Sequence, residues 1–456
     1  MTDSKQIPPE QYYLAKPDLK KVDKSSVFEK LEKLEPEEFG KFFEKVNEPR
    51  YLYWDDLKYK TPPKGLSPEE YWFLVRQFRT LASRKTSIKA ESGDYFKWLR
   101  LPDVDEFLHT IDMSSGGQIF TTMEVLSGSN KQKFISRGII EESIASSQLE
   151  GAHTTRQAAK EMLTEKREPR NKDERMILNN YNTMLKLDQD YKNQQLSEEI
   201  LFELHRMLTQ GTIPEADQGR FRKDKDQVVV QGSIGVHEYV THVPPKEKFV
   251  EEDIKRLIDY VNDVDNERFV HPIIKAIFIH FWFGYLHPFV DGNGRLARAL
   301  FYWYLLRKNY WTFMYLPIST VIKLAPVQYA MAYIYSEQDS YDATYFFDFH
   351  IRKIMQSLKG FNDYVSRKIS ENKEIDRVVS KDMKLNDRQK YLVHHLISDD
   401  SAYTTATSHA TLNNISRQTA ASDIKYLESM GLVTSSREGK YIKYFASKKL
   451  SRNVNT

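Results

Sequence analysis

With 456 residues the chain has room for two or three domains and a sizeable core; 29% charged, 40% hydrophobic and 13% aromatic residues exclude wholesale disorder and read as globular and helix-rich. A net charge of +3 excludes a polycation, so any nucleic-acid surface has to be local, and zero cysteines exclude disulfides, thiolate zinc sites and a cysteine nucleophile. The start MTDSKQIPPEQYYLAK lacks a basic stretch leading into an apolar one, and no run of about 18 apolar residues occurs, so we expect neither export nor membrane insertion but a reducing cytoplasm.

Residues 1–105 form a charged and aromatic N-terminal extension with helical patterns in SVFEKLEKLEPEEFGKFFEKV and again after TPPKG. The second start is well marked: Ser67 caps, Pro68 takes the first helical position, Glu70 completes a capping box and Leu66 can staple against Tyr71. A helix in WLRLPDVDEFLHTIDMSSGG stops at Gly116 and Gly117, and SRGIIEESIASSQLEGAHTTRQAAKEML is helical in period on both sides of Gly151. The charged stretch 165–175, EKREPRNKDER, reads as a solvated connection. Helical period returns in MILNNYNTMLKLDQDY and SEEILFELHRMLTQG, where Leu204, Met207 and Leu208 share a face and His205 is read as structural.

Two β-branched runs around a Gly-containing turn in QGRFRKDKDQVVVQGSIGVHEYVTHVPPKEKFV predict a hairpin with arms at 228–230 and 239–243. His237, His242 and His287 lack coherent ligand spacing for a metal, so the first two are read as hairpin surface. HPIIKAIFIHFWFGYLH is apolar nearly all round, as a helix through the centre of a bundle should be, with His280 a core residue. Beyond a linker at 371–384, residues 385–449 give three short helices and two strands about a Gly turn. That order resembles a winged helix-turn-helix with Arg417, Gln418, Thr419 and Ser422 at the exposed start of its third helix and Lys440 and Lys443 in the wing. Asp423, Glu428 and Glu438 dilute a basic face, which leaves DNA and protein as alternative partners.

The densest chemistry is HPFVDGNGRLAR, residues 287–298. Gly292, Asn293 and Gly294 allow the backbone to turn several N–H groups toward one point, a nest for phosphate, and a helix starting there adds its N-terminal dipole. Arg295 and Arg298, at i and i+3, share a face and can clamp a polyphosphate. A carboxylate beside bound phosphates, Asp291, calls for a divalent cation between them, most simply Mg2+. His287, ordinarily titrating near pH 6.5, can be neutral at pH 7 and is the candidate base.

The string resembles the Fic family motif, His, any, Phe, any, Asp or Glu, Gly-Asn-Gly-Arg, any two, Arg, with every fixed position filled. The resemblance implies a mainly α, Fic-type helical core over residues 106–370, with the hairpin at about 228–243 as a flap that pins an extended target segment by strand addition. It implies transfer of AMP from ATP to a hydroxyl of a target protein, or of the chain itself, with His287 as base, Asp291 holding Mg2+, and Gly292, Asn293, Gly294, Arg295 and Arg298 on the phosphates. Ser146 and Glu150 before Gly151 resemble the family's inhibitory helix, at about 140–151, whose glutamate pairs with the last arginine of the motif and so removes the cation that should grip the γ-phosphate. Where the family's base-lining helix often carries charge, this chain has Leu324, Ala325 and Pro326; Tyr329 is the residue placed to stack near adenine, with a core aromatic as the alternative. Related proteins often form homodimers. Two rival readings remain: a transcriptional regulator whose Fic site only senses nucleotide, and transfer of a different phosphate-containing group, against which Gly294 speaks because a kinase-like relative carries Lys there.

Overall fold

The computed structural model describes residues 9–116, 128–264, 269–378, 385–397, 402–438, 441–447 and 450. Its organising element is the central helix Pro272–Leu286, which starts with Pro at the first turn and His271 capping Ile273 N–H, and buries every residue from Ile273 to Leu286 except Gly284. A helix apolar on all sides can be stable in water only if other elements wrap it. Here Asn293–Arg307, Glu247–Val261 and the long helix Thr344–Val378 pack against it. This last helix runs past residue 371, where the sequence suggests that a linker begins.

Packing also crosses the boundary expected near residue 105. One apolar core contains Leu14, Trp72 and Phe96 together with Phe281, Leu300 and Val365. Arg79, almost fully buried, explains how the N-terminal segment is tied together: its guanidinium donates to Asn47 Oδ1 (3.0 Å), Leu52 O (2.8 Å) and Val46 O (2.7 Å), and lies 3.6 Å from the centre of the Tyr51 ring. Tyr51 in turn donates to Asp342 Oδ2 at 2.8 Å. The capping box forms as read, with Glu70 N–H on Ser67 Oγ (3.2 Å) and Ser67 N–H on Glu70 Oε2 (2.8 Å). The helical extension also holds a hairpin that the periodicity does not suggest, Arg84–Lys89 paired antiparallel with Tyr95–Trp98, whose Phe96 is driven into the core beside Phe281.

The expected hairpin forms, but its first arm lies further along the chain than 228–230, sharing only Val230 with it, and its second arm starts earlier, at His237. Val230–Ile234 pairs with His237–His242 around Gly235, whose φ of +66 favours glycine. The outer edge of the second strand is taken by the chain's own N-terminal segment: Tyr12 N–H donates to Val240 O (2.9 Å) and Val240 N–H to Glu10 O (3.0 Å). Within 165–175, the connection is less solvated than its charge suggests, because Arg167 donates through both terminal nitrogens to Glu174, which is buried.

The C-terminal segment has its own core of Leu392, Leu396, Ile424, Leu427 and Val433. Helices Asp387–Ile397, Ala406–Asn413 and Arg417–Ser429 precede an antiparallel pair, Val433–Glu438 and Tyr441–Ala446. Arg417, Gln418, Thr419 and Ser422 are exposed, whereas Asp423 points inward and takes hydrogen bonds from Arg388, Gln389 and Asn386, so it does not dilute the outer face. Lys440 lies outside the described residues. The Ala406–Asn413 helix packs on the helix Gly128–Leu149 and on Arg156–Thr164, with Thr405 Oγ1 donating to Glu165 Oε2 at 2.8 Å. Among the described residues no helix is long and apolar enough to cross a membrane.

Candidate active site

The central helix ends at His287, which adopts a left-handed backbone (φ 46, ψ 56) that turns the chain sharply toward the glycine loop. A non-glycine residue holds that conformation only when its surroundings fix it. Arg222 does so: its Nε donates to His287 O (2.8 Å) and its Nη2 to Pro245 O (2.5 Å) and Leu286 O (3.3 Å), while its own N–H reaches Pro288 O (2.8 Å). His287 Nδ1 lies 3.4 Å from Gly284 O. A carbonyl only accepts, so the proton is assigned to Nδ1 and Nε2 keeps its lone pair. Burial, the neighbouring His242 and Arg222 hold the His287 pKa down at about 3, so the ring is neutral near pH 7.

The loop after it is pinned from both sides. Asn293 closes a ring with Phe289, accepting its N–H through Oδ1 (2.9 Å) and donating to its carbonyl through Nδ2 (2.8 Å). His205 donates through Nε2 to Asp291 O (2.9 Å), accepts Gly219 N–H at Nδ1 (2.9 Å) and stacks on Phe289 at 3.9 Å between ring centres. Burial lowers its pKa to about 4, which keeps the acceptor nitrogen free. Gly292 is left-handed (φ +85), and a methyl group there would stand 2.9 Å from Thr209 Cγ2, so both conformation and space require glycine.

The motif helix Asn293–Arg307 begins at this turn with its first N–H groups lacking intrahelical acceptors. The two arginines of its first turns, Arg295 and Arg298, part company. Arg295 is fully buried and donates to Leu208 O (2.8 Å) and Asp291 Oδ1 (3.3 Å), beneath the loop. Arg298 donates through Nε to Ser146 Oγ (2.8 Å) and through Nη2 to Ser146 O (2.9 Å) and Glu150 Oε1 (3.0 Å). The expected clamp of two guanidiniums on one face is therefore one guanidinium facing Glu150 and one bracing the loop. A methyl group on Gly294 would stand 2.1 Å from Glu150 Oε1, so that carboxylate sits over the helix N-terminus as well as on Arg298. Those are the two features that would hold an anionic phosphate.

Ser146 and Glu150 reach this point from the end of the Gly128–Leu149 helix, which is anchored by Glu142, fully surrounded by Tyr302 Oη (2.8 Å), Ser319 N–H (2.9 Å) and Ser319 Oγ. Glu150, Gly294, His287 and His242 line one cavity of about 410 Å3, closed on the hairpin side by Gln231, Gly232 and Ser233 and on the far side by Pro326, Val327, Tyr329 and Ala330. Tyr329 is bonded through its hydroxyl to His280 Nε2 (2.9 Å), so its edge is fixed rather than free. His242, read as hairpin surface, is buried, and only His237 is exposed.

Asp291 presents a side chain 42% exposed beside the loop, with Oδ1 accepting Gly292 N–H and Arg295. Among the described residues no three His, Cys, Asp or Glu side chains gather as a metal cage. A single outward carboxylate fits Mg2+, which is commonly held by one or two carboxylates plus substrate phosphates.

A left-handed histidine that ends the central helix, the glycine turn that starts the next one and the buried Arg298 on that next helix make up the candidate site of a helical domain. Residues 195–305 match the model of the family described as Fic/DOC. The chain is 32% identical over 119 residues to a protein named protein adenylyltransferase Fic from Nematostella vectensis, covering 26% of this chain and 25% of that one. A protein of the same name from Drosophila willistoni is 33% identical over 110 residues, 24% of this chain and 20% of its own length. The chain thus spans about a quarter of the length of these relatives. Among solved structures, a Fic family protein from Desulfovibrio desulfuricans G20 is similar with a TM-score of 0.47 at 20% identity, covering 76% of this chain and 97% of that one. Fic-1 from C. elegans gives 0.41 at 16%, over 57% and 71%.

Proposed function

We propose that the chain is a protein adenylyltransferase, moving AMP from ATP to a hydroxyl side chain of a target protein or of itself, and that Glu150 holds it back. The observation that carries this reading is His287, its Nε2 unprotonated, lining the same cavity as Gly294 at the start of the motif helix and Glu150, the carboxylate bonded to Arg298. His287 takes the proton of the acceptor hydroxyl; the oxygen then attacks the α-phosphorus, a new P–O bond forms, and the bond to the β-phosphate oxygen breaks to release pyrophosphate. The amides of Asn293 and Gly294 and the Arg298 guanidinium take up phosphate charge, while Arg295 and His205 keep the loop in register. Asp291 would hold Mg2+, which when bound neutralises polyphosphate charge. Pro326, Val327, Ala330 and the Tyr329 ring offer the apolar wall for the base.

The hairpin supports target capture by strand addition, and the edge available for it is Val230–Ile234, since the other carries residues 10–12. With Glu150 on Arg298, the triphosphate tail loses its cation and meets a carboxylate, so the α-phosphorus sits away from the base. His287→Ala tests the scheme directly: label transfer from α-labelled ATP disappears while the fold persists, and transfer at the parent rate removes the base from the mechanism.

A second reading concerns the C-terminal segment. With Asp423 buried on Arg388, the exposed start of the Arg417–Ser429 helix presents Arg417, Gln418, Thr419 and Ser422, the composition of a base-reading face. We read this segment as a winged helix that docks on duplex DNA. Retardation of a DNA duplex at low salt that Arg417→Ala weakens supports it, and no shift at any salt favours a protein partner.

A further inference from the structure

We propose that His242 is a protonated imidazolium that keeps His287 unprotonated while an anionic nucleotide fills the cavity. The inference rests on His287 being the base of the proposed reaction, whereas the charge on His242 is argued from its own surroundings. His242 ends the second hairpin strand and is buried. Its Nε2 lies 2.8 Å from Tyr285 O, an atom that can only accept, so Nε2 carries a proton. Its Nδ1 lies 2.8 Å from Glu337 Oε2. Of an imidazole and a carboxylate sharing one proton, the imidazole is ordinarily the stronger base by about two units, so Nδ1 is protonated too and the ring is charged. Glu337 Oε1 is buried without a hydrogen-bond partner among the described residues, so His242 is its evident counter-charge. Burial, the largest single cause, acts to lower the His242 pKa, but the charge and hydrogen bond of Glu337 together with the bond to Tyr285 O leave the value raised.

The centres of the His242 and His287 rings are 6.4 Å apart, and both line the same cavity. The groups that face this pair are Glu337 from the Pro326–Gln338 helix, Tyr285 from the central helix, and Arg222 from the segment ahead of the hairpin. His287 therefore lies between two cations, His242 and Arg222. An ATP tail carries several negative charges, and such charge raises the pKa of a nearby imidazole and invites a proton onto it before reaction. The fixed charge of His242 opposes that pull. At 6.4 Å a unit charge shifts a neighbour by roughly one to two pKa units at effective dielectric constants near 20. His242 is in this sense a positioning residue, acting through the protonation state of His287.

Two measurements on the full chain test it. With 15N-labelled histidine at pH 7, one ring should show both nitrogens protonated; that signal should vanish in His242→Gln and turn into a neutral tautomer in Glu337→Gln. A neutral His242 in the parent protein overturns the proposal, whatever the enzyme does. In the Glu150→Gly background, kcat for AMP transfer between pH 5.5 and 8 should be flat with His242 in place. In His242→Gln and Glu337→Gln it should gain an acid limb, falling up to tenfold per pH unit and recovering by pH 8, with KM for ATP changing less. A loss of rate equal at every pH overturns the coupling. Absence of transfer by Glu150→Gly itself sinks the functional reading, and the spectrum then decides the charge alone.

Discussion

Arg298 Nη2 stands 3.0 Å from Glu150 Oε1, and the same carboxylate overlies Gly294 at the start of the motif helix. One carboxylate thus pairs with a buried guanidinium, whose Nη1 is left without a hydrogen-bond partner among the described residues, and stands over a helix N-terminus, the two features a γ-phosphate would need. Because Arg298 keeps two bonds to Ser146, removing Glu150 does not strand the charge entirely. Glu150→Gly should raise self-labelling with α-labelled ATP by roughly ten- to a hundredfold, the range of a coupling of about 1–3 kcal/mol. Its melting temperature should fall by a few degrees, because a buried cation loses the carboxylate it pairs with but keeps its Ser146 bonds. An unchanged rate would mean that no brake acts there.

His205 and His287 should separate stability from chemistry. His205 joins Gly219 N–H to Asp291 O through a buried ring stacked on the buried Phe289, so His205→Ala leaves a cavity and two backbone groups without their partner. We expect a cost of about 3 kcal/mol in urea unfolding together with a large loss of transfer. His287→Ala should abolish transfer while leaving the urea midpoint within error of the parent. Equal destabilisation by both would show that the loop is not held by His205.

How much of this could be read beforehand follows from distance along the chain. His287, Asp291, the glycine loop and Arg298 fall within twelve consecutive residues, and a local pattern carries them. Arg222 reaches His287 O across 65 positions and Glu337 reaches His242 across 95, so no spacing rule finds them. Asp423 is a different case. Ala420, Ile424 and Leu427 are buried with it at helical spacing, and that period already turned its carboxylate inward, yet residue type alone suggests a surface charge. The 84–98 hairpin is hidden because only Ile88 and Phe96 of its two strands are fully buried, so the alternation is weak.

Acid should unfold this protein earlier than its carboxylates alone would dictate. His205 (pKa about 4), His350 (about 3) and His280 (well below the ordinary value) are all buried and all shifted down, burial being the first cause in each. In the unfolded chain they take up protons near pH 6.5, so unfolding binds protons below that value and stability rises with pH through the window from about 4 to 6.5. With His287 (about 3), four such groups imply a loss of about 5 kcal/mol between pH 7 and 5.5, set against a smaller gain from His242, whose pKa moves the other way. Urea midpoints that stay level from pH 7 to 5.5 would contradict this. His350→Phe, filling the same space without a titrating group, should flatten the curve by about a quarter.

The C-terminal segment should matter to the proposed brake even though it does not line the cavity that holds His287 and Glu150. Its Ala406–Asn413 helix packs on the Gly128–Leu149 helix, and Leu412 joins the apolar cluster of Ile140, Ile144 and Met162. Glu150 follows directly from the end of that helix, so whatever steadies the helix steadies the carboxylate. Leu412→Asp places a charge in an apolar seam and should detach the segment, since an unpaired charge there costs several kcal/mol. Hydrogen exchange in residues 135–149 should then quicken, and self-labelling should rise, though less than with Glu150→Gly. In the double variant Leu412→Asp, Glu150→Gly the rate should match Glu150→Gly alone, because a displaced helix has no carboxylate left to remove. A further rise in the double variant would show that the C-terminal segment restrains the enzyme by a route that bypasses Glu150.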